Sequence, residues 1–316
     1  MSAAREMIQS VRTEVGKVVV GQDGVVTGLL TALLVGGHVL LEGVPGVAKT
    51  LTAKTLAAAL DVQFSRVQFT PDLMPSDVTG QMTFSQSSGE FTFRPGPIFT
   101  NILLADEINR TPPKTQASLL EAMEERQVSI DGASRQLPNP FMVIATQNPV
   151  EYEGTYPLPE AQLDRFLFKL IVGYPAVDQE TAMLARHHNG FDPRDLVGAG
   201  VRAVTNDSVL AEARAEVGAM VVDDKIIDYL VSLVTATRTS PSLSLGVSPR
   251  GGAAMLHAVK AWAWLSNKSF VTPDEVKVIA KPVMRHRVAL RSEAELEGVQ
   301  VDGVIDGILA AVPVPR

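Results

Sequence analysis

The chain has 316 residues, enough for about two domains, and its 46% hydrophobic content is typical of a soluble protein with a sizeable core. It contains no cysteine, which excludes disulfides, thiol catalysis and thiolate zinc sites and favours a cytoplasmic location. The net charge of −7 argues against a dedicated nucleic-acid binder, because affinity for phosphate backbones comes mostly from clustered Lys and Arg.

The first elements are predicted to be helices. Ala3–Val18 forms the first, and a buried helix over Val25–Val35 follows the turn Gly21-Gln22. The sequence from Val25 to Leu41 carries no charged residue, but Gly36-Gly37-His38 interrupts it. A membrane span needs ~20 apolar residues, so a helix, a turn and a strand explain this stretch better, and no membrane span is predicted.

A glycine-containing loop follows the apolar run His38–Leu41 and precedes the helical stretch Leu51–Leu60. This order of strand, loop, Lys-Thr and helix predicts a phosphate-binding loop, in which backbone N–H groups and the helix N-terminus face the anion. Lys49 would reach the outer phosphates, and the hydroxyl of Thr50 would hold Mg²⁺. Alanine replaces the usual second glycine at Ala48, where it is expected to fit only with a negative φ. The candidate phosphate-loop contacts are Val44, Pro45, Gly46, Val47, Ala48, Lys49, Thr50 and Leu51.

Strand-like runs recur through the first part of the chain and are apolar nearly throughout, as in parallel strands covered on both faces. They are His38–Glu42, Phe64–Phe69, Asn101–Ala105, Phe141–Ala145 and Phe166–Val172. With helical stretches between them, residues 1–174 are predicted to form a three-layer α/β domain with a five-stranded parallel sheet. Two hairpins interrupt it, Gln81–Phe84 with Glu90–Phe93 and Gln127–Ile130 with Ser134–Leu137.

After residue 174 the predicted elements are mainly helical, so residues 175–316 are predicted to form a second, helical domain. The predicted helices are Gln179–His188, Ser208–Val217, Asp224–Arg238, Pro249–Leu265 and Pro273–Arg287. The tail Val301–Arg316 fits either a short strand or a helix.

Polar side chains follow two of the predicted strands, where the carboxyl edge of a parallel sheet binds ligands. Asp106 would hold Mg²⁺, and Glu107 would orient and deprotonate the attacking water. Asn148 can bind the γ-phosphate or that water. Gly21-Gln22, a turn by default, becomes a candidate contact to the base beside such a site. Arg250 lies in the first turn of a predicted helix, where the dipole disfavours a cation, so a nearby anion such as a nucleotide phosphate is expected.

Four ordered motifs together resemble the MoxR family of AAA+ ATPases over nearly the whole chain. They are Gly43-Val44-Pro45-Gly46-Val47-Ala48-Lys49-Thr50, Ala105-Asp106-Glu107-Ile108-Asn109-Arg110, Ala145-Thr146-Gln147-Asn148-Pro149 and Leu158-Pro159-Glu160-Ala161-Gln162-Leu163-Asp164-Arg165-Phe166. The resemblance implies an AAA+ domain followed by a helical lid, with the hairpins as the helix-2 insert and the pre-sensor-1 hairpin. Alanine before Lys49 is normal in that family.

By resemblance, Lys49 and Thr50 belong to Walker A and Asp106 and Glu107 to Walker B. Asn148 corresponds to sensor 1, Arg165 to the arginine finger and Arg250 to sensor 2. The family implies ATP and Mg²⁺ as cofactors and a homo-oligomeric ring, usually a hexamer. Its members act as chaperone-like remodellers, often on clients with von Willebrand factor A domains.

Geometry adds an expectation for Arg165, which immediately precedes the predicted strand Phe166–Val172. A strand of that length spans ~23 Å, and the phosphates bind at its far end. Arg165 should therefore act on the nucleotide of a neighbouring subunit, with Arg110 as the alternative finger.

Two other functions share these motifs. A nucleic-acid-stimulated motor is disfavoured by the acidic balance and by the MoxR-like motif variants. The other is a metal-chelatase motor subunit, which is a near relative in the same clade. Chelatase motors work beside dedicated partner subunits, so the proteins that co-purify would distinguish this function from the first. Glu121, Glu124 and Glu125 fit a solvated helix face or a subunit interface.

Overall fold

The computed structural model describes residues 2–87, 89–148 and 154–315. Its strands are β1 (Val39–Glu42), β2 (Phe64–Gln68), β3 (Gly80–Ser85), β4 (Glu90–Pro95), β5 (Ile102–Asp106), β6 (Gln127–Ile130), β7 (Ala133–Gln136), β8 (Met142–Gln147), β9 (Phe168–Ile171), β10 (Leu243–Leu245) and β11 (Ala289–Leu290). Its helices are α1 (Ala3–Gly16), α2 (Asp23–Val35), α3 (Lys49–Leu60), α4 (Pro75–Thr79), α5 (Pro113–Glu125), α6 (Glu160–Leu163), α7 (Val177–His188), α8 (Asp207–Gly218), α9 (Asp224–Thr239), α10 (Pro249–Leu265), α11 (Pro273–Met284), α12 (Ser292–Leu296) and α13 (Val301–Ala311).

Five strands form one sheet, in the order β2-β5-β8-β1-β9. All neighbours pair in parallel, and the register aligns Val39 of β1 with Ile144 of β8 and with Phe168 of β9. These are the five strands predicted from the apolar runs, so the α/β prediction is confirmed. Because the strands are parallel, their carboxyl ends lie along one edge of the sheet.

Alternate residues of the central strands enter two separate cores. Val39 and Leu41 of β1 pack on the face covered by α1, α2 and α3, whereas Leu40 packs on the face covered by α5. Successive side chains of a strand point to opposite faces, so strand geometry produces this division. A strand buried on both faces needs apolar residues along its length, which explains the unbroken runs seen in the sequence.

The two predicted hairpins are present. Strands β3 and β4 pair antiparallel, as do β6 and β7. Near the end of the first hairpin, Phe84 and Phe91 lie side by side with ring centroids 5.2 Å apart. Both aromatic side chains are exposed, Phe84 at 51% and Phe91 at 66%, so this tip presents an apolar pair to solvent.

The second part of the chain is mainly helical, as predicted, and the tail that fitted either element forms the helix α13. Helix α10 packs against α2, and one continuous core includes Leu29 of α2 and Trp264 of α10. The guanidinium of Arg5 in α1 lies 5.0 Å from the ring centroid of Trp264. The boundary at residue 174 stays a prediction. Among the described residues, no helix combines the length and the apolar character that crossing a membrane requires.

Strand β9 and helix α11 are among the elements that are shorter than predicted, and the ends of both lie in contact with each other. Strand β9 begins at Phe168 rather than Phe166, and α11 ends at Met284 rather than Arg287. The Phe166 carbonyl accepts hydrogen bonds from Arg287 Nη2 (2.7 Å) and His286 Nε2 (2.9 Å). These two side chains follow the end of α11 and bind the segment before β9.

Buried histidines should make the fold sensitive to mild acid. The Val143 N–H donates to His38 Nδ1 (2.9 Å), which leaves His38 Nε2 to donate to the Met123 carbonyl (3.1 Å). Burial lowers the pKa of His38 to about 4, and burial together with Arg287 holds the pKa of His286 well below its usual value. Both side chains are therefore neutral in the folded protein near neutral pH.

Lowering the pH from about 7 to about 5 is expected to reduce the free energy of unfolding. An unfolded histidine binds a proton near pH ~6.5, whereas folded His38 resists it until about pH 4, so stability is full above the unfolded pKa and is lost as the pH falls towards the folded pKa. Each histidine contributes at most ~1.4 kcal/mol per pH unit in this window. Urea denaturation at both pH values measures the loss, which should be smaller in His38→Asn. Equal stability at the two pH values would contradict this expectation.

Candidate functional site

The loop between β1 and α3 has the shape of a phosphate-binding loop. A Cβ on Gly43 would lie 2.3 Å from the Val172 carbonyl oxygen, so only glycine fits between β1 and the end of β9. Gly46 has a φ of +86°, in the left-handed region that glycine tolerates, and no atom stands within 4 Å of its missing side chain. The backbone of the loop is therefore open towards an incoming group.

The expectation that Ala48 keeps a negative φ is wrong, because this residue has a φ of 61° and caps α3 in the left-handed region. The conformation turns the chain so that the helix begins directly at Lys49, and the Ala48 carbonyl accepts the first helical bond from Thr52 N (2.9 Å). A non-glycine residue there costs about 1–2 kcal/mol. Such strain is typical of functional loops, where the surrounding structure holds it in place.

The ammonium of Lys49 is half-buried and directed across the loop. It donates a hydrogen bond to the Gly43 carbonyl oxygen (2.6 Å). Burial lowers the pKa of Lys49, while the carboxylates of Asp106, Glu107 and Glu42 oppose this effect. A partly desolvated cation beside open backbone N–H groups fits the binding of a phosphate chain.

Two carboxylates face this loop from the end of β5. Asp106 Oδ2 pairs with Arg66 Nη2 (2.7 Å), and Asp106 Oδ1 accepts from Thr146 Oγ1 (2.5 Å). Glu107 Oε2 accepts from Gln68 Nε2 (2.8 Å) and pairs with Arg110 Nη1 (3.1 Å). Neighbouring strands β2 and β8 thus hold both carboxylates in defined orientations.

A cavity of about 410 Å³ joins the loop to the carboxylates. It brings together nine of the predicted residues, namely Pro45, Gly46, Ala48, Lys49, Thr50, Leu51, Asp106, Glu107 and Asn148. Val44 and Val47 belong to the loop but pack towards the core instead. Thr50 and Asp106 offer the oxygen donors that Mg²⁺ prefers, so the residues present fit a magnesium nucleotide.

Arg66, Gln68 and Thr146 line this cavity but were not predicted as site residues. The sequence carried a weak indication for the first two. Arg66 and Gln68 are two residues apart in a strand, so their polar side chains project from the same face. Their proximity to the carboxylates depends on β2 pairing with β5, which places Gln68 opposite Asp106. Without that pairing they are ordinary polar residues of an edge strand.

Gly21 and Gln22, predicted to contact the base, line a second cavity of about 580 Å³. Gln22 Nε2 donates to the Gly173 carbonyl (3.2 Å), next to Val172, whose carbonyl lies against Gly43. The aromatic side chains around this cavity are Phe168, Tyr174 and Trp262. Flat apolar walls beside the phosphate loop suit a planar base.

Arg165 and Arg250 lie elsewhere, at the amino edge of the sheet. Glu124 joins them, with Arg165 Nε 3.2 Å from Oε2 and Arg250 Nη1 2.9 Å from Oε1. The anion expected beside Arg250 is therefore a carboxylate of this chain, and Glu124 is more than a solvated residue. Both arginines line a third cavity of about 400 Å³, which is also lined by Arg126 and Arg287.

Comparisons with known proteins agree with this geometry. A family model described as "ATPase family associated with various cellular activities (AAA)" matches residues 38–168, and an AAA lid domain model matches residues 235–308. The uncharacterised protein YeaC of Bacillus subtilis is 48% identical over 301 residues, covering 95% of this chain and 92% of that protein. The chaperone MoxR1 of Mycobacterium tuberculosis is 41% identical over 312 residues, covering 96% and 81%.

A crystal structure of a protein from Cytophaga hutchinsonii, described as a candidate ATPase, superposes with a TM-score of 0.90. It is 41% identical and covers 99% of this chain and 96% of that one. The loop, the paired carboxylates and these near full-length similarities lead to one assignment: the chain belongs to the MoxR family of AAA+ ATPases.

Proposed function

We propose that the protein hydrolyses ATP with Mg²⁺, as a ring of identical subunits, and uses the energy to remodel or mature partner proteins. The observation that carries this proposal is the single cavity in which Lys49 faces Asp106 and Glu107. A cation for phosphates, a carboxylate for a metal and a carboxylate for water are the groups that ATP hydrolysis needs.

The charged and polar residues in and beside the cavity have distinct tasks in this proposal. Lys49 and the loop N–H groups bind the β- and γ-phosphates, while Thr50 and Asp106 hold Mg²⁺, which neutralises charge on the phosphate oxygens. Glu107 accepts a proton from the attacking water, and Asn148 orients the γ-phosphate or that water. Gln68 and Arg110 keep the Glu107 carboxylate aimed, since both contact Oε2.

The positions of the arginines support the proposed ring. Ladder hydrogen bonds join Leu167 N to the His38 carbonyl (2.8 Å) and Val172 N to the Glu42 carbonyl (2.7 Å), so β9 with its flanking residues runs the full width of the sheet. Arg165 precedes this stretch at the amino edge, and the phosphate loop lies at the other edge. Head-to-tail contact between subunits brings unlike faces together and closes into a ring, which we propose to be a hexamer.

Work on partner proteins is proposed from the MoxR1 relative, whose name describes a chaperone. The exposed pair Phe84 and Phe91 offers an apolar contact for such a client. Clients with von Willebrand factor A domains are the first to test, by capture with the Glu107→Gln variant in the presence of ATP. Stimulation of hydrolysis by DNA, with no client captured, would instead support a nucleic-acid motor.

Lys49→Ala is expected to abolish detectable ATP binding, because the phosphates lose their main cationic side chain. Titration calorimetry measures this directly. Lys54→Ala is the matched control, since Lys54 is an exposed residue of the same helix, α3, and lies outside the cavity. Near-normal affinity in Lys49→Ala would remove the loop from the proposed site and with it the proposed reaction.

A further inference from the structure

Arg287 lies three residues beyond Met284, the last residue of the lid helix α11, and is only 6% exposed. Its guanidinium binds the residues on both sides of Arg165: Nε pairs with Asp164 Oδ1 (2.6 Å), and Nη2 donates to the carbonyls of Asp164 (3.2 Å) and Phe166 (2.7 Å). Nη1 donates to the Leu167 carbonyl (3.0 Å). One buried side chain of the lid therefore holds the backbone from which Arg165 projects.

The carboxylate of Asp164 extends the same connection to α10. Its second oxygen, Oδ2, accepts from Ser248 Oγ (3.3 Å), and that hydroxyl also caps α10 by accepting from Gly251 N (3.0 Å). A Cβ on Gly251 would lie 2.8 Å from Arg287 Cδ, so the glycine next to Arg250 leaves the space that Arg287 fills. Arg250 and Arg165 are thus attached to one ion pair, in which the Arg287 side chain is 3% exposed and the Asp164 side chain is 22% exposed.

The two arginines are also joined at the surface through Glu124, but that connection cannot position them during the reaction. The Glu124 side chain is 36% exposed and the Arg250 side chain is 52% exposed, and exposed ion pairs contribute little to holding a geometry. A phosphate that binds either guanidinium would also displace the Glu124 carboxylate. In this proposal the pair of Asp164 and Arg287 does not bind phosphate, so its contacts need not be exchanged, and removing Asp164 leaves the charge of buried Arg287 uncompensated.

We propose that Asp164 and Arg287 are positioning residues, which fix the segment carrying Arg165 to the helix carrying Arg250. The two guanidiniums then face the neighbouring subunit's nucleotide as one unit, and a displacement of the lid moves both together. This inference rests on the proposed function, because it assumes that Arg165 serves a neighbour. In this proposal Asp164 and Arg287 influence the rate of turnover although neither residue contacts the nucleotide.

Asp164→Asn tests the proposal, because the amide keeps the shape of the side chain and removes the charge that pairs with Arg287. ATP binding should stay normal, since the phosphate loop lies at the other edge of the sheet. Turnover should fall by up to about 100-fold, as expected for a displaced catalytic group. Mixing experiments then locate the defect. Asp164→Asn mixed with Lys49→Ala should regain activity, whereas Asp164→Asn mixed with Arg165→Ala should not, because in the latter pair every subunit carries a defective finger.

The control is Lys281→Gln in α11. This variant removes a surface ion pair between Lys281 and Asp306 (2.7 Å), and no change in turnover is expected. Arg287→Lys keeps the charge but loses the forked contacts, so it should repeat the Asp164→Asn pattern more weakly and serves if that variant does not fold. Normal turnover in Asp164→Asn, recovery with Arg165→Ala, or failure of both variants to fold and bind ATP would each overturn the proposal. Recovery in the mixture of Arg165→Ala and Lys49→Ala is measured separately and decides whether the finger itself acts between subunits.

Discussion

Arg165→Ala is expected to bind ATP normally and to lose hydrolysis by ~10³–10⁵-fold, the usual contribution of an arginine finger. Binding is preserved because Arg165 contacts Glu124 and the Leu120 carbonyl (2.5 Å) at the edge of the sheet opposite to Lys49. Calorimetry and steady-state phosphate release measure the two properties. Arg194→Ala, which removes an exposed arginine, is the control and should behave as the unaltered protein.

A mixture of two inactive variants separates a neighbour-directed finger from a local one. Lys49→Ala lacks a working loop and Arg165→Ala lacks the finger, so some interfaces in a mixed ring join an intact loop to an intact finger. Activity should then partly return. If the variants co-assemble and activity stays absent, Arg165 acts within its own subunit or only in folding. Arg110 would be the next candidate, although its guanidinium lies 3.1 Å from Glu107 of the same chain.

Glu107→Gln is expected to retain ATP and to lower turnover by ~10²–10⁴-fold, because the amide cannot accept the proton from water. The substitution keeps an oxygen that can accept from Gln68 and Arg110, so the surrounding contacts survive. Single-turnover measurements after rapid mixing give the rate of the chemical step. Glu125→Gln, an exposed glutamate of α5, is the matched control.

The same variant should also report assembly, since it holds ATP without consuming it. Light scattering should show a ring-sized species when ATP is present and a smaller one without it. A monomer at micromolar concentration with ATP bound would contradict the ring, and fast turnover would place the general base on another residue.

The sheet and the phosphate loop were predictable because each has a local signature. Strands such as β5 and β8 are buried on both faces and appear as unbroken apolar runs, and the loop residues are adjacent in the chain. The order in which the strands lie side by side in the sheet has no such local signature in the sequence. Arg66 and Gln68 become part of the site only because β2 pairs with β5.

Two other features depend on contacts between distant parts of the chain. The anion beside Arg250 is Glu124, which lies 126 residues earlier in the chain. Asp164 and Arg287 are likewise 123 residues apart, and no local sequence pattern around either residue indicates that they form an ion pair. The positive φ of Ala48 could not be predicted for another reason. Alanine usually avoids this conformation, but the start of α3 holds Ala48 in it despite the strain.

Helices α1 and α2 come first in the chain, but the core that they form also includes α10. This core can therefore be completed only late in synthesis. The apolar faces of α1 and α2 are covered completely only when α8 and α10, which begin at Asp207 and Pro249, have also been synthesised. A fragment ending at residue 174 would lack α8 and α10, so the parts of α1 and α2 that pack against them would be exposed, and exposed apolar surface promotes aggregation. The nucleotide site is therefore best studied in the full chain, because α2, which precedes β1 and the phosphate loop, packs against both of these helices.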